Sequence, residues 1–215
     1  MKSINTGILS FDWYLKGGLP PNIFLLSGIP GSGSEIFTRQ IAYTQALTNK
    51  ISYFTVNATS DSVKEDMLAY GWNINQLEKM GNWKFLHILK DNNFVKTVID
   101  EMKQHRTVII DSLSELLLKH KTEEIVNLIT SMSLHNNDRT KFHLLLLTEG
   151  MQDKKTETTM EHFAEGVIAF NTSWMADSTI RYIIIKKIQG TTVPTRRLEY
   201  SLGKKGFVIE TARRI

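Results

Sequence analysis

The segment that most restricts the fold is a short apolar run, Ile23–Leu26, followed at once by Gly28-Ile29-Pro30-Gly31-Ser32-Gly33-Ser34-Glu35 and then by a helical pattern over Glu35–Leu47. A strand that turns through spaced glycines into a helix aims successive backbone N–H groups at one point. The helix dipole there favours an anion. The glycine spacing and the strand-to-helix context fit the phosphate-binding pattern G-x-x-x-x-G-K-[ST]. The two side chains that do the chemistry do not fit. Ser34 stands where Lys reaches the β- and γ-phosphates, and Glu35 stands where Ser or Thr binds Mg²⁺. On spacing alone, a degenerate phosphate loop and a plain Gly-rich turn both remain open.

The rest of the chain repeats the alternation. Apolar runs at Ile51–Val56, Trp83–Ile88, Val108–Ile110 and Phe142–Leu147 are short and bounded by turn residues, as buried parallel strands are. Helical patterns fall between them at Val63–Tyr70, Asn93–Gln104 and Glu123–Leu134. Ser62 and Glu65 have the spacing of a capping box, and Gly71 reads as a helix stop. Alternating strands and helices predict right-handed crossovers and a sheet covered on both faces. After about residue 165 the pattern changes. Val167–Phe170, Thr179–Lys187, Thr195–Leu202 and Gly206–Glu210 read as an antiparallel β-meander. Gly150–Thr159 is polar and reads as an exposed loop. The expected organisation is one domain over 1–215: an N-terminal segment 1–22, an α/β core 23–165 and a basic meander 166–215.

Composition closes off several function classes. With no cysteine among 215 residues there is no disulfide, thiol catalyst or zinc-thiolate site. No apolar run approaches the length of a membrane span, and Met1 to Thr6 lack a signal-peptide stretch, so a soluble cytoplasmic protein without membrane contact is expected. The six histidines include no i, i+4 pair, which argues against a metal site. His87 and His143 read as strand residues. Net charge is +4, unevenly placed. From Arg181 to Ile215, nine Lys or Arg face only Glu199 and Glu210. Such a stretch suits a nucleic-acid-binding face or, preferred because each doublet points one residue to each face of a strand, a charged sheet edge that blocks aggregation.

Several ordered segments resemble the KaiC-like branch of the RecA superfamily. Thr6-Gly7-Ile8-Leu9-Ser10-Phe11-Asp12-Trp13-Tyr14-Leu15-Lys16-Gly17-Gly18-Leu19-Pro20 is similar to that family's T-G-I-x-G-L-D-x-L-L-G-G-G-L-P and runs without a gap into the phosphate loop. Val108-Ile109-Ile110-Asp111-Ser112-Leu113 resembles its Walker B strand with the D-S-L ending. Ala69-Tyr70-Gly71-Trp72, Phe163-Ala164-Glu165-Gly166-Val167-Ile168 and Arg181 to Thr191 resemble its F-G-W, F-x-A-D-G-V-I and R-x-L-x-V-x-K-M-R-G-T segments. The likeness covers about residues 3–210. It implies a RecA-like α/β P-loop fold with a mostly parallel sheet and a C-terminal antiparallel β-meander, and an ATPase ancestry.

The departures fall on the positions that the resemblance marks as chemical. Ser34 and Glu35 replace the Walker A Lys and hydroxyl. Asn57 and Ala58 stand where the family carries its catalytic Glu pair. In the family's K-M-R-G turn Lys187 is kept and Gln189 replaces the Arg that can reach a neighbouring subunit's nucleotide. Asp111, which would orient Mg²⁺ through water, is kept. The loop exchanges alter local charge by two units beside a triphosphate. One unit pair at about 4 Å is worth roughly 4 kcal/mol at an effective dielectric of 20. Asn57 cannot accept a proton from water, and general-base help is worth about 10²–10⁴-fold. The expectation is therefore a pseudo-ATPase with a regulatory or scaffolding role, with weak ATP/Mg binding or slow hydrolysis as one alternative and a nucleic-acid-binding accessory as another. The resemblance also implies a homo-oligomer or an assembly with an active paralogue, with Trp13 and Tyr14 favoured as interface residues.

Overall fold

A computed structural model describes residues 3–88, 91, 93–136, 139–176 and 178–210. In chain order the elements are α1 Leu9–Tyr14, β1 Ile23–Gly28, α2 Ser34–Ala46, β2 Ile51–Thr55, α3 Ser60–Ala69, α4 Asn75–Lys79 and β3 Trp83–His87. They continue with α5 Phe94–Lys103, β4 Thr107–Asp111, α6 Leu113–Leu116, α7 Thr122–His135, β5 His143–Thr148 and α8 Lys154–Phe163. The last four strands are β6 Gly166–Trp174, β7 Thr179–Ile188, β8 Leu198–Gly203 and β9 Gly206–Ile209.

All nine strands join one sheet in the order β3-β2-β4-β5-β1-β6-β7-β8-β9. The sheet is parallel from β3 through β6 and antiparallel from β6 through β9. β6 thus belongs to both halves: it pairs in parallel with β1 and turns antiparallel to β7, although its sequence reads as the first strand of the meander. Every residue of β1 and β2 is buried, which is why these strands carry continuous apolar runs rather than alternation.

One core lies on the α2 face of the sheet and a second on the face of α5, α7 and α8. Phe37 of α2 sits in edge contact with Phe11 of α1, Phe170 of β6 and Phe207 of β9, at 5.1, 5.1 and 4.9 Å between rings. That aromatic set fixes the helix after the phosphate loop against both the N-terminal segment and the meander. Among the described residues no helix is long and apolar enough to cross a membrane.

Two local expectations are corrected. Gly150–Thr159 is not a loop throughout, because α8 begins at Lys154. Asp153 caps it, accepting from the Thr156 N–H at 2.9 Å, and only Glu157 and Met160 are buried. α3 starts earlier than the Ser62–Glu65 spacing implies: Thr59 is its N-cap and accepts from the Ser62 N–H. Gly71 does end the helical segment, at φ +82°.

Candidate functional site

The glycine-rich turn lies where the spacing places it, between the end of β1 and the start of α2. Gly31 and Gly33 adopt φ of +77° and +88°, left-handed conformations that side chains rarely take. The loop is held from behind. The Ser32 N–H donates to the Ile29 carbonyl at 3.0 Å, and the buried Tyr200 hydroxyl donates to the Ser32 carbonyl at 2.5 Å. Burial pushes the Tyr200 phenol above its ordinary pKa, so it stays a donor. A Cβ at Gly28 would lie 2.5 Å from the Ser32 oxygen, which explains the glycine at the strand exit.

Ser34 does not reach outward. It is buried, its hydroxyl lies 3.4 Å from that of Ser32, and its carbonyl accepts from Thr38 at 2.8 Å. Glu35 sits at the loop rim beside Asp111. Desolvation raises its carboxyl pKa first and the Asp111 charge raises it further, partly offset by Arg39.

Asp111 ends β4, and it is already engaged. The Tyr53 hydroxyl of β2 donates to Asp111 Oδ2 at 2.6 Å. Arg39, one helical turn after Glu35, brings its guanidinium to 3.5 Å from the same oxygen and to 3.0 Å from Asp66 of α3. Its Nε lies 3.4 Å from the Tyr53 hydroxyl. Burial, then the Asp111 charge, holds the Tyr53 phenol well above its usual range. Burial alone would lower the Arg39 pKa, but Tyr53 and Asp111 outweigh it and raise it, so the guanidinium is a fixed cation.

Asn57 and Ala58 follow β2 next to this cluster; the Val56 N–H donates to the Asp111 carbonyl at 3.2 Å. Asn57 is exposed and Ala58 packs against the core. Ser112 is buried and caps α6 by accepting from the Glu115 N–H. Lys187 and Gln189 stand apart from the loop. Lys187 pairs with Val167 near the start of β6, whereas the loop leaves β1 at the level of Phe170. The Lys187 ammonium donates to the carbonyls of His162 and Ala164 at 2.8 and 2.6 Å, closing the C-terminal end of α8. The Gln189 N–H donates to the Glu165 carbonyl at 2.8 Å. His87 lies on β3 and His143 on β5, as expected of strand residues.

A divalent cation does not fit this donor set. The Asp111 oxygen that would orient the metal's water accepts from Tyr53 and faces a guanidinium. Among the described residues no group of three His, Cys, Asp or Glu is arranged to hold a metal. Sequence reading found the loop, Asp111 and the missing groups. It did not find Arg39, Tyr53, Asp66 or Tyr200, which two helices and two strands bring in from separate stretches. The only local signal was the Glu35–Arg39 spacing on α2.

Part of the basic stretch is committed within the chain. Lys186 pairs with Glu161 at 2.7 Å and Arg197 with Glu199 at 3.3 Å, while Arg197 also lies over the Tyr182 ring. Arg213 and Arg214 fall outside the described residues.

A family model described as "ATPase: KaiC" matches residues 4–214. A UPF0273 protein of Thermotoga maritima is 25% identical, over 97% of this chain and 96% of its own length. A UPF0273 protein of Methanocaldococcus jannaschii is 24% identical, again over 97% of this chain and 96% of its own. Among solved structures, a KaiC-like protein from Pyrococcus horikoshii matches with a TM-score of 0.82 at 21% identity, covering 98% of this chain and 99% of that one. At that identity the likeness shows the fold.

Proposed function

The chain belongs to the KaiC ATPase family, and from that premise we propose that it is a pseudo-ATPase that acts through protein contacts. The observation that carries the reading is the Glu35 carboxyl at the metal position, beside an Asp111 already engaged by Tyr53. A carboxylate there repels the phosphates that a Lys and a metal ion attract in an active loop. Asn57 and Ala58 leave an attacking water without a base. Glu35 stands in the first turn of α2, where the helix dipole favours its charge and desolvation beside Asp111 opposes it.

Protein contact is supported by α1. Leu9 and Trp13 lie one turn apart on one helical face and are 77% and 82% exposed, the two most exposed large apolar side chains among the described residues. Tyr14 differs: its hydroxyl donates to the Arg196 carbonyl of the same chain. The partner chemistry that suits α1 is an apolar surface on a second copy or on a paralogue with an intact loop. The nucleic-acid reading loses support from the ion pairs of Lys186 and Arg197, which neutralise part of the basic face.

The test is calorimetric titration with Mg·ATP of the wild type and of Ser34→Lys/Glu35→Thr. The wild type gives no resolvable heat. The revertant, with backbone donors retained and two units of charge reversed, binds at least about a hundredfold tighter, since each 1.4 kcal/mol is tenfold. Tight binding by the wild type would overturn the reading and restore the weak-ATPase alternative.

A further inference from the structure

Arg39 has no counterpart in the chemistry of a phosphate loop, yet it occupies the centre of the polar cluster at the C-terminal end of the sheet. It has three partners: Asp66 at 3.0 Å, the Tyr53 hydroxyl at 3.4 Å and Asp111 at 3.5 Å. Its side chain is only 15% exposed and that of Asp111 14%. Glu35 lies on the same helix one turn earlier, close enough for the charges of Asp111, Arg39 and Asp66 all to act on it. Two carboxylates and a phenol therefore surround a single guanidinium, with Glu35 one helical turn away. We infer that Arg39 is a built-in cation in the place of the divalent metal, held by Asp111, Asp66 and Tyr53, so that the site is closed to metal without any ligand.

Charge and geometry both lead there. Asp66 and Asp111 meet at one end of the sheet, where their like charges need a cation; Mg²⁺ and Mn²⁺ satisfy such oxygens by direct coordination or through water. A guanidinium supplies the positive charge permanently, and its donors can serve several acceptors at once. Tyr53 completes the arrangement by donating to Asp111 Oδ2, an oxygen that a metal-bound water would otherwise use. The inference rests on the pseudo-ATPase reading only for the identity of the displaced ion.

The test uses Mn²⁺ alone, without nucleotide, titrated into the full chain and followed by the electron paramagnetic resonance signal of the free ion. The wild type binds no Mn²⁺ up to millimolar concentration. Arg39→Met leaves Asp66 and Asp111 uncompensated and gains a Mn²⁺ site at least about tenfold tighter than any in the wild type. Adding Asp111→Asn abolishes that gain, and Arg39→Lys, which keeps the charge, shows none. Should Arg39→Met be unfolded in metal-free buffer, Mn²⁺ restores its folding, because binding to the native state alone stabilises it. Equal Mn²⁺ binding by wild type and Arg39→Met overturns the inference. So do the absence of binding by a folded Arg39→Met and the failure of Mn²⁺ to rescue an unfolded one. Mg·ATP titration of the wild type reports separately on the pseudo-ATPase reading, so the two can fail independently.

Discussion

Strands β2 and β4 carry an arginine–carboxylate knot at each end, and the two knots are built to different standards. At the N-terminal end Arg106 precedes β4. Its Nε donates to Ser52 at 2.7 Å, Nη1 to the Gly81 carbonyl at 3.1 Å and Nη2 to the Ile51 carbonyl at 2.5 Å. Glu101 accepts from Ser52 at 2.7 Å and from Lys84 at 2.5 Å. Burial pushes the Arg106 pKa down and Glu101 opposes it. At the C-terminal end Arg39 makes one bond at 3.0 Å and two longer contacts, and Asp66 is 58% exposed. The base knot is a closed joint with short bonds and little water. The upper knot is looser and open to solvent on one side. The same chemistry thus fixes the sheet at one end and sits beside the phosphate-loop turn at the other.

Truncating each arginine separates the two roles. Arg106→Met removes the cation 3.5 Å from Glu101 Oε2 and the donors to two backbone carbonyls, while Lys84 and Ser52 still serve Glu101. The expected loss is about 3–5 kcal/mol in urea unfolding, as for breaking a buried pair by deleting one partner. Arg39→Met leaves its carboxylates within reach of water and costs about 1–2 kcal/mol in the same assay. Equal losses would erase the distinction between the two ends.

A smaller effect sharpens the comparison through pH. The Glu35 carboxyl pKa is raised in the folded chain, first by desolvation and then by Asp111. The folded state therefore holds that proton more tightly than the unfolded state. Stability from this group is greatest below the unfolded carboxylate value and falls as pH rises through the folded one. Glu35→Gln accordingly raises stability at neutral pH by a few tenths of a kcal/mol, a small figure because solvent screens the exposed rim. The gain vanishes near pH 3.5, below the usual Glu value of about 4.3. A Glu35→Gln variant less stable than wild type at neutral pH would show that the carboxylate is a net support for α2.

Much of this was legible in the sequence, and the misses have physical reasons. Strands β1, β2, β4 and β5 were readable because burial on both faces forces continuous apolar runs, whereas β3, at the sheet edge, is buried only at Trp83. The loop was readable because positive φ demands glycine. α8 was missed because only Glu157 and Met160 face inward, so its apolar signal is nearly absent. The Asp153 cap was the cue that remained. Tyr53 read as one more apolar strand residue within Ile51–Val56, since nothing local reveals that its hydroxyl meets Asp111. Arg39 drew no reading of its own within Glu35–Leu47, because its role depends on two carboxylates 27 and 72 residues away.

The account's central claim is that the phosphate loop of this chain no longer supports ATP hydrolysis. Phosphate release from Mg·ATP, measured at steady state for wild type and Asp111→Ala, tests it most directly. The account predicts that both proteins release phosphate at the rate of the protein-free control. Turnover by the wild type that disappears in Asp111→Ala would contradict it, because the hydrolysis would then run through the very carboxylate that Tyr53 and Arg39 are assigned to hold.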